Sequence, residues 1–495
     1  MNAHRTCPLF TAALLFAAPA AGQTTDTERA AARPILGRIE ALQSEIQPGS
    51  LAERLVAASA KEKQGLLERI EQLWTLEMQG LSDHIGRHPE VGFEEHTTVD
   101  TLTRVLRAHG FTVETGQAGL ETAFVGSWDS PAGTAGPTLG IIVEYDALRG
   151  TQGAFHGCQH NAQSPVGFAT GVALAELMTR ARLPGRIRIY GTPAEEMGPP
   201  AKVTMWRAGV FEGADILVRS HGAGETSRNR AGFGVCCLNI NMVRYVFEGR
   251  PAHQRSSWNG RNALSAAVQF YTAVDHLRPS LRPEAVIQGV IPEGGIAPNV
   301  VPDRAVADYY IRYPDEVYLA HVDSMMATAA RAAAQAMGTE VTIERYGEYR
   351  DGITLGSLEE LTFAYARQLG AQHIVDEPQR PAGYEETGFV TRDIPGVSVG
   401  VFSSPAPGHS YERWEDSLKP VGHQGFLLDA KIMGAVLYDF LTDENFRDTV
   451  AREHRTMASL FDGYLDGLRD AYRVELGGEP VGTGGAAGPS PRGNH

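Results

Sequence analysis

Three apolar runs of strand length, each followed by acidic or histidine residues, constrain the fold of this chain more than any other feature. Runs of this length are typical of buried strands, and functional groups collect beyond the carboxyl ends of strands in open α/β sheets. We therefore expect the polar residues after the three runs to lie close together. The runs and the residues that follow them are 137–143 before Glu144 and Asp146, 186–190 before Glu195 and Glu196, and 215–218 before His221.

Segments with helical patterning alternate with these strands. Residues 96–109 place valine and leucine on one face before a glycine, and residues 164–180 begin with a serine and a proline, which suit the first turn of a helix. This alternation predicts an α/β domain whose mainly parallel sheet is covered by helices on both faces.

From residue 237 to residue 349 the order of the predicted elements changes. The patterns predict strand, helix, strand, strand, helix and strand, which is the order of a ferredoxin-like α+β sandwich. We expect this unit to be inserted into the α/β domain, which resumes at residue 350. The predicted strands are 238–247, 285–291, 305–313 and 340–346, and the predicted helices are 262–278 and 316–337.

The residue types near the strand ends are those that bind transition metals. Thiolate, imidazole and carboxylate groups hold zinc and its neighbours, and a free carboxylate beside them can deprotonate a metal-bound water. Each residue alone has a simpler explanation, such as a buried cysteine or a surface histidine. As a set they predict a metal-dependent hydrolase. The candidate donors are Cys158, His160, Glu195, Glu196, His221 and His409.

Seven short segments carry a resemblance to a known family. They are HPEVGFEE at 88–95, EYDAL at 144–148, HGCQHN at 156–161, GTPAEE at 191–196, GRPAH at 249–253, PNVVPDR at 298–304 and PGHS at 407–410. In this order they resemble the dinuclear-metal aminoacylase and carboxypeptidase-G-type amidohydrolases, a family of zinc peptidases. Within that family the chain is similar to the branch of hippurate hydrolase, auxin-conjugate hydrolases and aminobenzoyl-glutamate hydrolase. The resemblance runs from about residue 76 to about residue 441.

The resemblance implies a role for each candidate donor. Glu195 would be the general base and acid, and Asp146 would orient a ligand histidine. Two adjacent glutamates at a strand end point in opposite directions, so one can bind metal while the other faces the attacking water. The implied ligands of two divalent ions, zinc or manganese, are Cys158, His160, Glu196, His221 and His409.

The resemblance also implies a substrate and an assembly. The substrate would be a small N-acyl amino acid or an aryl amide of one, and the inserted domain would be a lid through which a homodimer forms. On this lid, His253 and Asn299 would bind the oxyanion or the substrate carboxylate, and Arg312 is a further candidate for the carboxylate. Two alternatives stay open: a dipeptidase or carboxypeptidase of the same chemistry, and a metal-binding protein that has lost turnover.

Three features depart from the family pattern. Gln159 stands where glycine is usual, Arg149 stands where proline is usual, and residues 150–155 form an insertion. We expect these departures to alter the rim of the site, and therefore either to change the substrate or to impair the second metal site.

Both ends of the chain have a composition unlike that of the domains. The first residues combine a basic start, an apolar core and small residues near position 20, which is the form of a secretory signal peptide and predicts a periplasmic or secreted protein. The last residues are rich in glycine, proline and alanine and should be disordered. The predicted segments are a signal peptide 1–22, the first part of the catalytic domain 23–236, the lid and dimerisation domain 237–349, the second part of the catalytic domain 350–449, a helical extension 450–478 and a disordered tail 479–495.

The charge of the chain limits its partners. Its 495 residues include 59 acidic and 44 basic side chains, which give a net charge of −15. An excess of negative charge disfavours nucleic acid and anionic membrane surfaces. We therefore expect a small-molecule amide substrate, and neither nucleic acid nor a membrane as a partner.

Overall fold

A computed structural model describes residues 26–58, 60–233, 239–376 and 388–475. The predicted signal peptide and the predicted C-terminal tail lie outside these ranges. Among the described helices, none combines the length and the apolar character that a membrane span needs.

The strands form a large sheet, a smaller sheet and a hairpin. The strands are β1 Thr112–Thr115, β2 Phe124–Asp129, β3 Thr138–Val143, β4 Leu148–Gly150, β5 Gly153–Phe155, β6 Arg186–Gly191, β7 Ile216–Ala223, β8 Asn239–Glu248, β9 Val286–Glu293, β10 Arg304–Tyr313, β11 Glu340–Tyr349 and β12 Gly396–Phe402. The large sheet has the order β1-β2-β6-β3-β7-β12, the smaller sheet has the order β11-β8-β10-β9, and β4 pairs with β5.

The helices pack around these sheets. A π-helical turn, Trp74–Met78, joins the third and fourth of them. The helices are α1 Asp26–Ile46, α2 Pro48–Ala57, α3 Lys61–Leu73, α4 Gln79–Arg87, α5 His96–Ala108, α6 Gln163–Ala181, α7 Ala201–Arg207, α8 Ala263–Leu277, α9 Glu316–Met337, α10 Gly356–Gln368, α11 Gly388–Asp393, α12 Tyr411–Ser417, α13 Pro420–Thr442 and α14 Glu444–Glu475.

Both faces of the large sheet are covered, as the sequence predicts. Strands β6, β3, β7 and β12 run parallel to one another, whereas β1 and β2 form an antiparallel edge. Every residue of β3 is buried, because side chains on a strand alternate between two covered faces. Ile141 lies in the core with the residues of α6 and α13, and Ile142 packs on the other face with Met205 and Val390.

The parallel strands bring their carboxyl ends to one edge of the sheet. Val143 of β3 is in register with Gly191 of β6, so the segments that follow these two strands emerge side by side. Strand β7 extends beyond the predicted run 215–218, and His221 lies inside it and pairs with Gly400 of β12. The longer strand has a physical reason: β12 supplies a parallel partner for β7 as far as Ala223, which the sequence of β7 alone does not reveal.

The insert has the predicted ferredoxin-like order. Its strands are all antiparallel in the order β11-β8-β10-β9, and α8 and α9 pack together on them. Asn262 and Asp315 begin the two helices, since their side chains accept hydrogen bonds from Ser265 N and Tyr318 N. The predicted domain boundaries themselves stay predictions, and the one at 236 falls outside the described residues.

The C-terminal helix α14 is longer than predicted and packs against the rest of the chain. It begins at Glu444, lies along α1, and contacts α9 of the insert. Tyr472 is fully buried, and its hydroxyl donates a hydrogen bond of 2.8 Å to Asp315 Oδ2, while its ring lies 5.6 Å from that of Tyr318. The helix therefore joins the α/β domain to the insert.

Glu453 of α14 replaces the missing N-terminal cap of α10. Leu355, at the start of α10, offers no side-chain acceptor. The buried carboxylate of Glu453 accepts hydrogen bonds from Gly356 N at 2.8 Å and Ser357 N at 3.1 Å, and also from Gln43 Nε2 at 2.7 Å. A carboxylate at this end of a helix satisfies free N–H groups and interacts favourably with the helix dipole.

Replacing Glu453 should destabilise the fold. Glu453→Ala leaves buried N–H donors without acceptors, so we expect the free energy of unfolding to fall by about 3 kcal/mol. Chemical denaturation measures this. Asp448→Ala, at an exposed position of the same helix, should change stability by less than about 0.5 kcal/mol. Equal stabilities of the two variants would contradict the capping role.

Candidate metal centre

The six candidate donors meet at the edge where the parallel strands end. Cys158 and His160 lie between β5 and α6, Glu195 and Glu196 follow β6, and His409 follows β12. Three overlapping groups have donor atoms within 4.8 Å of one another: Cys158 with His160 and His221, Cys158 with Glu196 and His409, and His160 with Glu195 and Glu196. We call the six residues Cys158, His160, Glu195, Glu196, His221 and His409 the donor cluster.

Asp146 fixes the orientation of His160. The Nδ1 atom of His160 lies 2.9 Å from Asp146 Oδ1, so this nitrogen is protonated and its N–H donates a hydrogen bond to the carboxylate. In the neutral ring the Nε2 atom holds a lone pair. This atom is buried, and among the described residues it has no hydrogen-bond partner, although Glu144 Oε2 lies 3.4 Å away. Such an atom is suited to bind a cation.

His221 is oriented in the same way by a backbone carbonyl. Its Nδ1 atom donates to Gly222 O at 2.9 Å, which leaves Nε2 at 3.4 Å from Cys158 Sγ. Burial and the Arg219 cation lower the pKa of His221 to about 3. The imidazole is therefore neutral at pH 7, which is the form that binds metal.

Cys158 depends on a cation to become a thiolate. Burial raises the pKa of the Cys158 thiol to about 12, and the Glu196 and Glu195 carboxylates act in the same direction. Metal coordination deprotonates a thiol outright. The thiol therefore matches a divalent ion that binds at this position.

The two glutamates turn to different partners. Ala194, just before them, has a φ of 53°, which bends the chain so that Ala194 N donates to Glu95 Oε1 at 2.8 Å. Glu196 N donates to Asp146 Oδ2 at 2.9 Å, and Glu196 Oε2 lies 3.5 Å from His409 Nε2. Glu195 Oε2 lies instead 3.9 Å from His160 Nε2. The second carboxylate oxygen of Glu196, Oε1, is buried and has no hydrogen-bond partner in the part of the chain that the structure describes.

His409 is the most exposed member of the donor cluster. Its side chain is 55% exposed and its φ is 60°. Its backbone N–H donates to Gly157 O at 3.0 Å, and the space at 157 favours glycine, since a Cβ there would lie 2.6 Å from the Phe155 ring and 3.0 Å from the Cα of His409. The other histidine near this part of the sequence, His423, bonds Asp83 at 2.8 Å.

A buried ion cluster beneath the donors was missed by the sequence analysis. Glu144 Oε1 lies 2.5 Å from Lys202 Nζ and 2.8 Å from Arg219 Nη1, and Glu144 Oε2 lies 3.4 Å from His160 Nε2. Burial raises the pKa of Glu144, but the Arg219 and Lys202 cations hold it well below its ordinary value. Glu144 was expected at the strand ends but was given no role there, and Arg219 stands directly after the run 215–218, so the same signal could have found it. Lys202 lies in α7 and carries no such signal.

The ion cluster acts on Glu195. Burial and the Glu144 carboxylate raise the pKa of Glu195 well above its ordinary value, whereas Lys202 lowers it. The Glu195 side chain is 13% exposed, so it combines a desolvated carboxylate with some access from solvent. This is the environment in which a carboxylate can accept a proton near neutral pH.

Two candidate residues of the insert, His253 and Asn299, lie beside each other. His253 Nδ1 accepts from Arg255 N at 3.1 Å, and Asn299 O accepts from Gln254 N, so the two exposed candidates are neighbours. Arg312 lies next to the C-terminal end of β10, where it pairs with Ile240 of β8 and Val286 of β9.

The side chain of Gln159 does not itself line the rim of the site, and its effect on the rim stays a prediction. Gln159 is fully buried, because its side chain turns inward between β7 and β12. Arg149 is exposed and bonds Glu94 at 2.9 Å. The insertion forms the β4–β5 hairpin, and Phe155 of this hairpin packs on Tyr411 with 4.3 Å between ring centroids.

The donor cluster fits divalent cations. Thiolate, imidazole and carboxylate are the ligands of zinc and related metals, and two buried donor atoms, His160 Nε2 and Glu196 Oε1, have no hydrogen-bond partner among the described residues. A carboxylate, Glu195, lies beside them. An α/β domain with such a centre and a ferredoxin-like insert defines a metal-dependent hydrolase of amide bonds.

Comparison with known proteins identifies the family. Residues 233–337 match the peptidase dimerisation domain of the M20 family. The Xaa-Arg dipeptidase of Mus musculus is 31% identical over 79% of this chain and 92% of its own length. A p-aminobenzoyl-glutamate hydrolase chain of Escherichia coli is also 31% identical, over 76% of this chain and 91% of its own length. The chain belongs to the M20 family, which confirms the resemblance found in the sequence.

A solved structure shares the fold. It is that of a dinuclear metal binding peptidase of the M20 family from Bacillus subtilis, with a TM-score of 0.51 at 20% identity, and the match covers 73% of this chain and 98% of that chain.

Removing the buried lysine should destabilise the centre. Lys202→Met fills similar space but leaves Glu144 with one cation, so we expect the free energy of unfolding to fall by about 3 kcal/mol, the lower end for breaking a buried ion pair. Denaturant unfolding of the metal-free protein measures this. Lys419→Met, at an exposed lysine, should cost less than about 1 kcal/mol. A Lys202→Met variant as stable as the wild type would contradict the assignment.

Proposed function

We propose that this protein hydrolyses the amide bond of small N-acyl amino acids or of their aryl amides. The observation that carries the proposal is the divergence of the adjacent glutamates: Glu196 approaches His409, while Glu195 Oε2 lies 3.9 Å from Nε2 of His160, which has no hydrogen-bond partner among the described residues. One carboxylate is thus available to bind metal, and the other is free to move a proton beside it.

Two divalent ions, zinc or manganese, would be held by the donor cluster. Cys158, His160 and His221 would hold one ion, and Cys158, Glu196 and His409 would hold the other, as the grouping of their donor atoms supports. When bound, the ions supply a nucleophilic water at neutral pH and polarise the amide carbonyl. Asp146 holds the His160 ring and the Glu196 backbone in place for this chemistry.

Glu195 is the proton carrier of the proposed mechanism. Its carboxylate accepts the proton of the attacking water and gives it to the nitrogen of the leaving amine. Burial and Glu144 raise the pKa of Glu195, which favours the proton-accepting step, and Lys202 acts in the opposite direction.

A dipeptidase is the second candidate. The M20 relatives with 31% identity are an Xaa-Arg dipeptidase and a p-aminobenzoyl-glutamate hydrolase, whose substrates share an amide bond to an amino acid. Turnover of N-benzoyl amino acids, p-aminobenzoyl-glutamate and dipeptides that end in arginine would separate the two. Hydrolysis restricted to substrates with a free α-amino group would favour the dipeptidase.

The insert would serve as a lid and as the surface of a homodimer. Several of its apolar side chains are exposed, and burying them against a second copy would be favourable. These are Trp258, Val268, Val286, Val290, Ile296 and Val300. His253 and Asn299 would bind the oxyanion or the substrate carboxylate, and Arg312 is a further candidate. The sequence of residues 1–22 supports a periplasmic or secreted location.

Two matched variants test the division of roles between the glutamates. Glu195→Gln keeps the shape of the side chain but removes the proton acceptor, so we expect turnover to fall by about 10²–10⁴-fold with full metal content. Glu196→Gln should instead lose metal. Elemental analysis and steady-state kinetics measure both. Metal loss in Glu195→Gln with full metal content in Glu196→Gln would mean that the two roles are exchanged. Unchanged turnover in Glu195→Gln would contradict the proposed mechanism.

A complementation experiment tests the lid. If His253 serves the site of a partner subunit, Glu195→Gln subunits mixed with His253→Ala subunits should recover activity, because each mixed dimer holds one site with both residues intact. Turnover is measured after subunit exchange, which tagged subunits can verify. His253→Ala alone should keep its metal and its stability. No recovery after verified exchange would exclude the role across the dimer.

A further inference from the structure

Gln159 occupies an unusual position between two proposed metal ligands, Cys158 and His160. Its φ is 65°, in the left-handed region that favours glycine, and the residue is fully buried. A buried amide needs hydrogen-bond partners, and a strained backbone needs compensating contacts. The side chain of Gln159 supplies these contacts.

The amide of Gln159 bonds both ends of the segment that carries His409. Ser403 Oγ donates to Gln159 Oε1 at 2.7 Å, just after β12 ends. Gln159 Nε2 donates to Arg413 O at 3.1 Å, in the first turn of α12. One side chain therefore closes the base of the loop 403–413, and His409 lies near its tip.

The same side chain also packs against β7. A Cβ added to Gly222 would lie 2.3 Å from Gln159 Oε1, so the amide fills the space beside the residue that follows His221. Arg413 Nη2 donates to Gly222 O, the carbonyl that also accepts from His221 Nδ1. Gln159 belongs to the loop of Cys158 and His160, and its side chain contacts the strand of His221 and both ends of the His409 loop.

His409 is exposed, and other contacts besides Gln159 help to hold its loop. Its side chain is 55% exposed, its φ is left-handed, its N–H donates to Gly157 O, and its Nε2 lies 3.5 Å from Glu196 Oε2. Within the loop, Ser404 Oγ donates to Asp416 and Arg413 Nη1 donates to Ala406 O. His409 takes part in one group of donors, with Cys158 and Glu196, whereas the group of Cys158, His160 and His221 does not include it. Movement of the loop would therefore affect one ion position more than the other.

We propose that Gln159 is a positioning residue that holds the His409 loop over the donor cluster and so retains the ion shared by Cys158, Glu196 and His409. This inference rests on the proposed metal ligands. Gln159 acts through Ser403 and Arg413 and contacts no reacting atom.

The test compares Gln159→Gly and Ser403→Ala with a matched control. Glycine adopts a φ of 65° without strain, so Gln159→Gly should fold. Gln47→Gly is the control, since Gln47 also has a left-handed φ, of 53°, at the start of α2. After dialysis of the purified full-length proteins against buffered zinc, bound zinc per subunit and the affinity of each site are measured by chelator competition.

We expect Gln159→Gly and Ser403→Ala to weaken one zinc site by about tenfold, the effect of losing about one hydrogen bond that holds the loop, and to leave the other site unchanged. Excess zinc should restore turnover, and the metal-free variants should melt close to the wild type. The double variant should lose no more than Gln159→Gly, since both changes remove the same bond. Gln47→Gly should bind zinc as the wild type does.

The outcomes separate this inference from the proposed function. If His409→Ala binds zinc like the wild type, the assignment of His409 as a metal ligand is wrong, and the inference about Gln159 is wrong as well. If His409→Ala loses one zinc while Gln159→Gly keeps both at wild-type affinity, the proposed centre stands and the positioning role is overturned. Loss of both ions together with a much lower melting temperature in Gln159→Gly would also overturn it, because the residue would then only stabilise the fold.

Discussion

The carboxylate of Asp146 is the interaction on which the rest of the centre depends. One oxygen accepts from His160 Nδ1 and the other from Glu196 N, each at 2.9 Å. The segment after β3 thus ties the loop before α6 to the loop after β6. Because the residue is 1% exposed, these bonds act in a desolvated environment where they are strong. Asp146 therefore sets the tautomer of a histidine and the path of the backbone at the same time.

Buried charge surrounds this arrangement. Glu144, Lys202 and Arg219 bring two cations and one anion to the base of the donor cluster. Taking these groups out of water is costly unless each is paired, and here they are paired with one another. Their net positive charge faces a set of carboxylates and a thiol, which need positive charge nearby to ionise. The fold thus supplies part of that charge itself.

The sequence predicted the features that depend on local pattern. The apolar run 137–143 became β3, the six elements of the insert appeared in the expected order, and the candidate donors came together because parallel strands end at one edge. Features set by distant partners were not predictable. The extension of β7 depends on β12, the burial of Lys202 depends on Glu144, and the inward turn of Gln159 depends on Ser403. The roles of the individual site residues stay predictions.

Helix α14 has a consequence for movement of the insert. Through Tyr472 it is bonded to Asp315, which also begins α9, and along its length it lies against α1 and supports α10 through Glu453. A rotation of the insert toward the donor cluster would have to break the contact at Tyr472 or carry the end of α14 with it. The C-terminal helix therefore couples the position of the insert to the positions of α1 and α10.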